Sequence, residues 1–122
     1  MASRFTELII DCVEPLPVGR FWAGVLGYDM NVDEDGDVEL EGPPGSGPSL
    51  LFTKVPEPKG VKNRLHIDVN ATDRDQDAEV ERIKALGATE VDIGQGGQTW
   101  VVLADPEGNE FCVLRRQVEP IS

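Results

Sequence analysis

Basic residues are scarce in this chain. It holds 11 lysines and arginines against 23 acidic residues, a formal charge of −12 with its single histidine neutral. A field of that sign repels phosphate backbones and anionic lipid surfaces, so a nucleic-acid partner is not expected. Long apolar runs are also missing. No stretch approaches the roughly 20 residues that a membrane-crossing helix needs, and Met1 to Arg4 begin no basic-then-apolar leader. Cysteine is equally short: Cys12 and Cys112 stand apart without CxxC spacing. Two such residues make no disulfide framework and read as buried thiols in a reducing compartment, with the cytoplasm the expected address.

What remains suffices for one interior. With 39% of 122 residues hydrophobic, the chain has the size and apolar content of a single domain, and 13 glycines with 9 prolines announce short elements joined by many turns. A repeat is visible within it. Phe5 to Asp11 (FTELIID) and Arg64 to Asn70 (RLHIDVN) are both short β-branched and apolar runs, each followed by an acidic turn residue, Glu14 or Asp73, and then by a helical stretch ending in Leu-Gly. Gly27 follows Glu7 by 20 positions and Gly87 follows His66 by 21. Nearly equal spacing of that kind marks a duplicated unit.

In the first helix Val18, Phe21, Trp22, Val25 and Leu26 form the apolar stripe of a helix lying on a sheet, with Pro17 in its first turn and Gly27 after its last. Trp22 reads as core. In the second helix Thr72 with Asp75 suggests a capping box, Asp73, Asp75 and Asp77 favour the positive end of the dipole, and Val80, Ile83 and Leu86 face inward. The acidic cluster from Asp73 to Glu81 is read as a solvated helix start rather than a cation site.

Further extended runs cover Tyr28 to Val32, Val38 to Glu41, Ser49 to Val55, Glu90 to Ile93, Thr99 to Ala104 and Glu110 to Arg115. Asp33-Glu-Asp-Gly36 and Asp105-Pro-Glu-Gly-Asn109 are hairpin turns, 42–48 is a mobile loop, and Pro56 to Lys62 links the halves. Eight strands and two helices in the order β-α-β-β-β, twice, predict an α+β fold with a helix on one face of each sheet. Module one spans about 5–56 and module two about 63–116 of a single domain, 1–122.

Alternation assigns the faces. Leu65, Ile67 and Val69 belong under the second helix, which turns His66, Asp68 and Asn70 the other way; Leu8 and Ile10 likewise turn Glu7, Ile9 and Asp11 outward. In the last strand Phe111 and Val113 go to the helix, and Glu110, Cys112 and Leu114 go opposite. The non-helix face therefore gathers His66, Glu7, Asp68 and Cys112, and His66 is the one side chain with pH-range acid/base chemistry.

Three stretches carry a resemblance: Asn63-Arg-Leu-His-Ile-Asp-Val69, Ile83-Lys-Ala-Leu-Gly-Ala88, and Trp100-Val-Val-Leu-Ala-Asp-Pro-Glu-Gly-Asn-Glu-Phe111, with Ile10-Asp-Cys12 and Arg20-Phe-Trp-Ala-Gly-Val-Leu-Gly27 added by the first half. With these the chain resembles a glyoxalase-like domain of the vicinal oxygen chelate superfamily, which includes glyoxalase I, extradiol dioxygenases, and fosfomycin and bleomycin resistance proteins. The resemblance implies a curved sheet around a concave cavity, with each helix on the outer face. It also implies four metal-binding positions, on the first and last strand of each module. Carried across, these are Glu7, Phe52 or Thr53, His66 and Cys112. That set lacks the oxygen shell a hard ion wants, so no metal is expected; the alternative is one zinc or iron held by Glu7, His66 and Cys112.

Two functions follow from the resemblance. One is a lyase, isomerase or dioxygenase type of enzyme acting on a small metabolite, with His66 as acid/base or ligand and Glu7 or Asp68 as its carboxylate partner. The other is a binding protein, such as one that sequesters an antibiotic, with a small-molecule cavity lined by Ile9, Phe52, Trp100, Cys112 and Leu114. The acidic charge favours a neutral or cationic ligand, and exposed strand edges favour a two-fold homodimer. Cys12 and Cys112 fall on opposite faces of their strands and cannot pair without moving backbone. Titration of the unfolded chain with a thiol reagent, without reductant, is expected to count two thiols; a count of none refutes the face assignment.

Overall fold

The duplicated spacing of the sequence reappears as duplicated topology. The computed structural model describes residues 1–91 and 99–121, and it divides into two units, Met1–Pro58 and Lys59–Pro120. The first contains β1 (Glu7–Cys12), α1 (Pro15–Leu26), β2 (Asp29–Val32), β3 (Val38–Glu41) and β4 (Ser49–Lys54). Its sheet has the order β1-β4-β3-β2, with β1 parallel to β4 and the other pairs antiparallel. The second repeats the scheme with β5 (Asp68–Val69), α2 (Gln76–Leu86), β6 (Thr89–Glu90), β7 (Val101–Ala104) and β8 (Glu110–Val113), in the order β5-β8-β7-β6. Here β5 is parallel to β8 and the rest antiparallel. The fold is α+β, built from two βαβββ modules. The expected strand Glu90 to Ile93 lies partly outside the described residues.

In the first unit α1 begins at Pro15, with Pro17 also in the first turn, where proline's missing N–H costs nothing because those donors have no helical partner. Gly27 closes it at φ 70°, its N–H donating to the Ala23 carbonyl. Val18, Phe21, Trp22 and Val25 are buried, as are Cys12, Val38, Leu40, Leu50 and Phe52 of the sheet, and the Phe21 and Trp22 rings meet edge to face at 5.3 Å. Trp22 is thus core, as expected. In the 42–48 loop the Ser46 N–H donates to the Pro43 carbonyl and the Tyr28 hydroxyl donates to the Ser46 carbonyl.

Three local expectations for the second unit need correction. The helix cap is Asp75, not Thr72: the Asp75 carboxylate accepts the Ala78 N–H, and the chain turns helical only at Gln76. Leu86 is 41% exposed because it sits in the last turn, while Val80, Ile83 and the carboxylate-bearing Glu79 are buried. Glu79 is matched by a two-pronged ion pair with Arg82, at 2.8 Å on each oxygen, which offsets the cost of burying its charge. The predicted strand Arg64 to Asn70 shrinks to Asp68–Val69, and Leu65 is 84% exposed rather than under the helix. The pairing with β8 covers Asp68 and Val69, with one further backbone bond to the Ile67 carbonyl, and the chain before it is tied to β8 through a side chain, the Asn63 N–H donating to the Glu110 carboxylate. The acidic cluster from Asp73 to Glu81 is occupied by the cap and by pairs with Arg74, Arg82 and Lys84.

Gly19 shows how closely α1 approaches its sheet. A Cβ built there would lie 2.6 Å from Val38 Cγ1 and 3.1 Å from Val38 Cβ, both on a fully buried side chain. Overpacking of this kind costs about 1–3 kcal/mol, against a helix-propensity gain of about 1 kcal/mol for alanine over glycine. Gly19→Ala is therefore expected to lower the urea midpoint, and the Gly19→Ala/Val38→Ala double variant to lose less than the two single losses sum to. A Gly19→Ala protein more stable than wild type would contradict this packing.

Candidate functional site

The second module's sheet places its polar groups by simple alternation. Asp68 on β5, Cys112 on β8 and Val102 on β7 are direct register partners and make one row across the sheet. One period away along the same face stand His66, Glu110, Leu114 and Trp100. These seven side chains and Lys62 line a cavity of about 400 Å³. The opposite face holds Phe111, Val113 and Leu103, all buried. The register is pinned by two backbone bonds, Cys112 N–H to the Ile67 carbonyl at 3.0 Å and Leu114 N–H to the Val69 carbonyl at 2.8 Å.

The turn that delivers β8 follows from Asp105-Pro-Glu-Gly-Asn109. The buried Asp105 carboxylate accepts the N–H groups of Glu107 and Asn109 and the Asn109 side-chain amide, and Gly108 takes φ 86°, where a side chain would be strained. Glu110 then anchors the entrance of β5. Its carboxylate accepts the Asn63 N–H at 3.0 Å and pairs with Lys59 at 3.1 Å. Burial pushes the Glu110 carboxyl upward, but the Asn63 N–H, its own backbone N–H and the Lys59 ammonium outweigh that and hold it below the ordinary glutamate value.

Inside the cavity, His66 Nδ1 lies 3.5 Å from Asp68 Oδ1, with both side chains about half exposed. Cys112 is only 8% exposed. Burial first, then the charge and hydrogen bond of Asp68, push its thiol above the usual range, and Lys62 pulls weakly the other way. The ligand atoms of His66, Asp68 and Cys112 all lie within 4.8 Å of one another. The arrangement offers a proton-transfer pair, a sulfur donor and an apolar wall of Trp100, Val102 and Leu114 in one concavity.

Of the residues singled out from sequence, His66, Asp68, Trp100, Cys112 and Leu114 line this cavity. Glu7 and Ile9 lie in the first unit, on the exposed face of β1 with Asp11. Glu7 is not a member of the clustered set, in which Asp68 joins His66 and Cys112. Phe52 corrects an expectation: it is fully buried, paired with Ile10 and Val38 on the helix side, and Thr53 takes the other face, its hydroxyl donating to Asp11. Sequence reasoning passed over Lys62, Val102 and Glu110 as cavity residues. Alternation alone signals the last two; Lys62, in the link between modules, carries no such signal. Both cysteines are free and buried, and the Cys12 thiol donates to the Thr53 carbonyl.

A family model described as glyoxalase-like domain matches residues 7–114. No curated protein matches the chain. Among solved structures, a glyoxalase/bleomycin resistance protein/dioxygenase family enzyme from Burkholderia phytofirmans PsJN is similar at 20% identity and TM-score 0.68, over 91% of this chain and 97% of that one. The fosfomycin resistance protein FosX from Listeria monocytogenes is similar at 15% identity and TM-score 0.72, over 97% and 94%. A variant of that protein complexed with Mn(II) and dihydroxypropylphosphonic acid is similar at 14% identity and TM-score 0.67, over 93% and 90%. At these identities the likeness concerns the fold.

The Glu110 clamp makes a pH prediction. A carboxyl held low in the folded chain adds stability that is fully present above its ordinary value and is lost as the pH falls through its lowered one. Glu110→Gln is expected to be less stable than wild type at about pH 7, with the gap narrower at about pH 3. Urea midpoints at the two pH values measure it; a gap that stays constant would mean that Glu110 charge does not hold the 59–63 segment.

Proposed function

Because the chain belongs to the glyoxalase-like domain family, we propose that it binds a small organic molecule in the cavity of its second module, with His66 and Asp68 as the pair that holds or transfers a proton on it. One observation carries this reading: a concavity of about 400 Å³ whose wall combines Trp100, Val102 and Leu114 with His66, Asp68 and Cys112. Ligand pockets commonly have about 300–1,000 Å³, mostly apolar lining and a few convergent polar groups. Asp68 sits where it orients the imidazole, and the ring reaches the cavity as acid or base. A ligand with a flat or aliphatic body and a neutral or cationic head suits the walls and the net charge of −12.

The manganese of the Listeria complex does not transfer to these residues. A hard ion takes an all-oxygen or oxygen-rich shell, and the clustered donors here are one imidazole, one carboxylate and a nearly buried thiol. The chemistry we assign to His66 and Asp68 runs through no such ion.

We further propose a two-fold homodimer working in the cytoplasm. Ile9 on β1 and Phe5 just before it are 55% and 65% exposed, β1 is an edge strand of its sheet, and exposed apolar edges are commonly covered by a second copy. No helix among the described residues is long and apolar enough to cross a membrane. Sedimentation at micromolar concentration is expected to give twice the chain mass.

Tryptophan fluorescence tests the cavity. Trp22 is 2% exposed and Trp100 is 39% exposed at the cavity wall, so ligands from a library of neutral and cationic metabolites are expected to perturb Trp100. Hits that bind wild type are expected to lose at least about tenfold in affinity with His66→Ala, the scale of one lost charged or polar contact of about 1.4 kcal/mol. Hits unaffected by both His66→Ala and Leu114→Ala would refute this site.

A further inference from the structure

We propose that Lys62 sets the cavity's choice of ligand, by holding its ammonium where an oxygen of the ligand becomes negative. The class is small phenols and enolisable carbonyl compounds, uncharged in solution, whose proton passes to His66. This inference rests on the proton-transfer reading of His66 and Asp68 given above, and adds to it where the charge left behind is held.

The charges in the cavity wall divide into committed and uncommitted ones. Glu110 is committed, its carboxylate shared between the Asn63 N–H and Lys59. Asp68 is committed as well, standing 3.5 Å from His66 Nδ1 and hydrogen-bonded to the Cys112 thiol. Lys62 is not. Among the described residues it is the one lysine or arginine in the wall, it makes no ion pair, and its Nζ has only a 3.5 Å contact with the neighbouring Asn63 carbonyl. Its field reaches into the cavity, where it opposes Asp68 at the Cys112 thiol. The backbone beside it is fixed to β8 through Asn63 and Glu110, while the side chain itself is exposed and free to turn onto a ligand.

The proton and the charge then separate cleanly. The ligand's proton passes to the imidazole nitrogen that does not face Asp68. The electron pair of the broken O–H or C–H bond stays on the ligand and settles on its oxygen, and Lys62 keeps its own proton. A cation already in place where charge develops stabilises the product more than the uncharged starting molecule, which is the condition for it to assist the transfer. The body of the ligand lies against Trp100, Val102 and Leu114. A ligand that is already an anion in solution meets instead the repulsion of a chain at −12 as it approaches.

The test compares two probes that quench tryptophan. One is 4-nitrophenol at about pH 8.5, where it is an anion and an ordinary lysine is still a cation; the other is 4-nitroanisole, its methyl ether, which cannot ionise. Quenching of Trp100, the exposed one of the two tryptophans, by the ether reports the cavity, and the ratio of the two affinities reports Lys62. Wild type is expected to bind the phenolate at least about tenfold more tightly than the ether, the scale of one charge-assisted hydrogen bond. Lys62→Met should abolish that preference with the ether's affinity little changed, and Lys62→Arg should keep most of it. Lys84→Met, which removes the same charge from α2, should leave the preference intact. Circular dichroism checks each fold, and Lys62→Gln replaces Lys62→Met if the latter unfolds. A ratio near one in wild type, a preference that survives Lys62→Met, or an equal loss in Lys84→Met would overturn the role of Lys62 and leave the cavity reading intact. An ether that does not bind wild type would overturn the cavity reading, and this inference with it.

Discussion

The candidate site depends on one register. Ile67 and Val69 offer their carbonyls to Cys112 and Leu114, and this parallel pairing sets Asp68 opposite Cys112. A slip of one residue would send Cys112 toward α2 and bring Phe111 into the cavity, because side chains alternate with a period of two. The pairing is short, only Asp68–Val69 on β5, so its security comes from elsewhere. Buried Val69 and Val113 anchor its helix side, and Glu110 ties down the incoming chain through Asn63 and Lys59. The cavity is thus a by-product of forces acting mainly on the other face of the sheet.

Much of this was legible in the sequence because it follows from periodicity. The strand-to-glycine spacings gave the module, and alternation put Cys112, Leu114, Asp68 and His66 on one face. Where sequence pattern and structure differ, a local competitor decides. Phe52 and Thr53 differ by one position, which is enough to reverse a side chain; pairing with Ile10 and Val38 puts Phe52 in the core. Leu65 has the right parity but no strand beside it. Thr72 has capping chemistry, yet Asp75 is closer to the first helical N–H groups and takes the cap. Asp68 stands on the predicted face, but parity alone does not say which acid reaches the histidine; the 3.5 Å approach of Asp68 Oδ1 to His66 Nδ1 does.

The acid excess looks at first like a surface property, yet several carboxylates have structural duties. Asp33 accepts the N–H groups of Asp35 and Asp37, and Asp105 accepts those of Glu107 and Asn109. In both turns the residue four positions on returns its carbonyl to the aspartate N–H, and a glycine with positive φ sits between. The two turns join β2 to β3 and β7 to β8, which are not equivalent places in the duplicated order. The same five-residue solution therefore recurs through turn chemistry rather than through the repeat itself.

The parallel outer pair in each module bears on how the chain reaches its fold. Hairpins such as β2–β3 and β7–β8 close locally, but β1 meets β4, and β5 meets β8, only after a helix and two further strands have been spanned. The entropy lost in closing such a loop grows with the logarithm of its length, and the two loops are nearly equal. Neither module thus has a head start from chain length. Their order of assembly is left to the contacts that reward closure: six paired positions for β1 with β4, and two for β5 with β8. By that measure the second module, which carries the cavity, is the later to commit and the first to open.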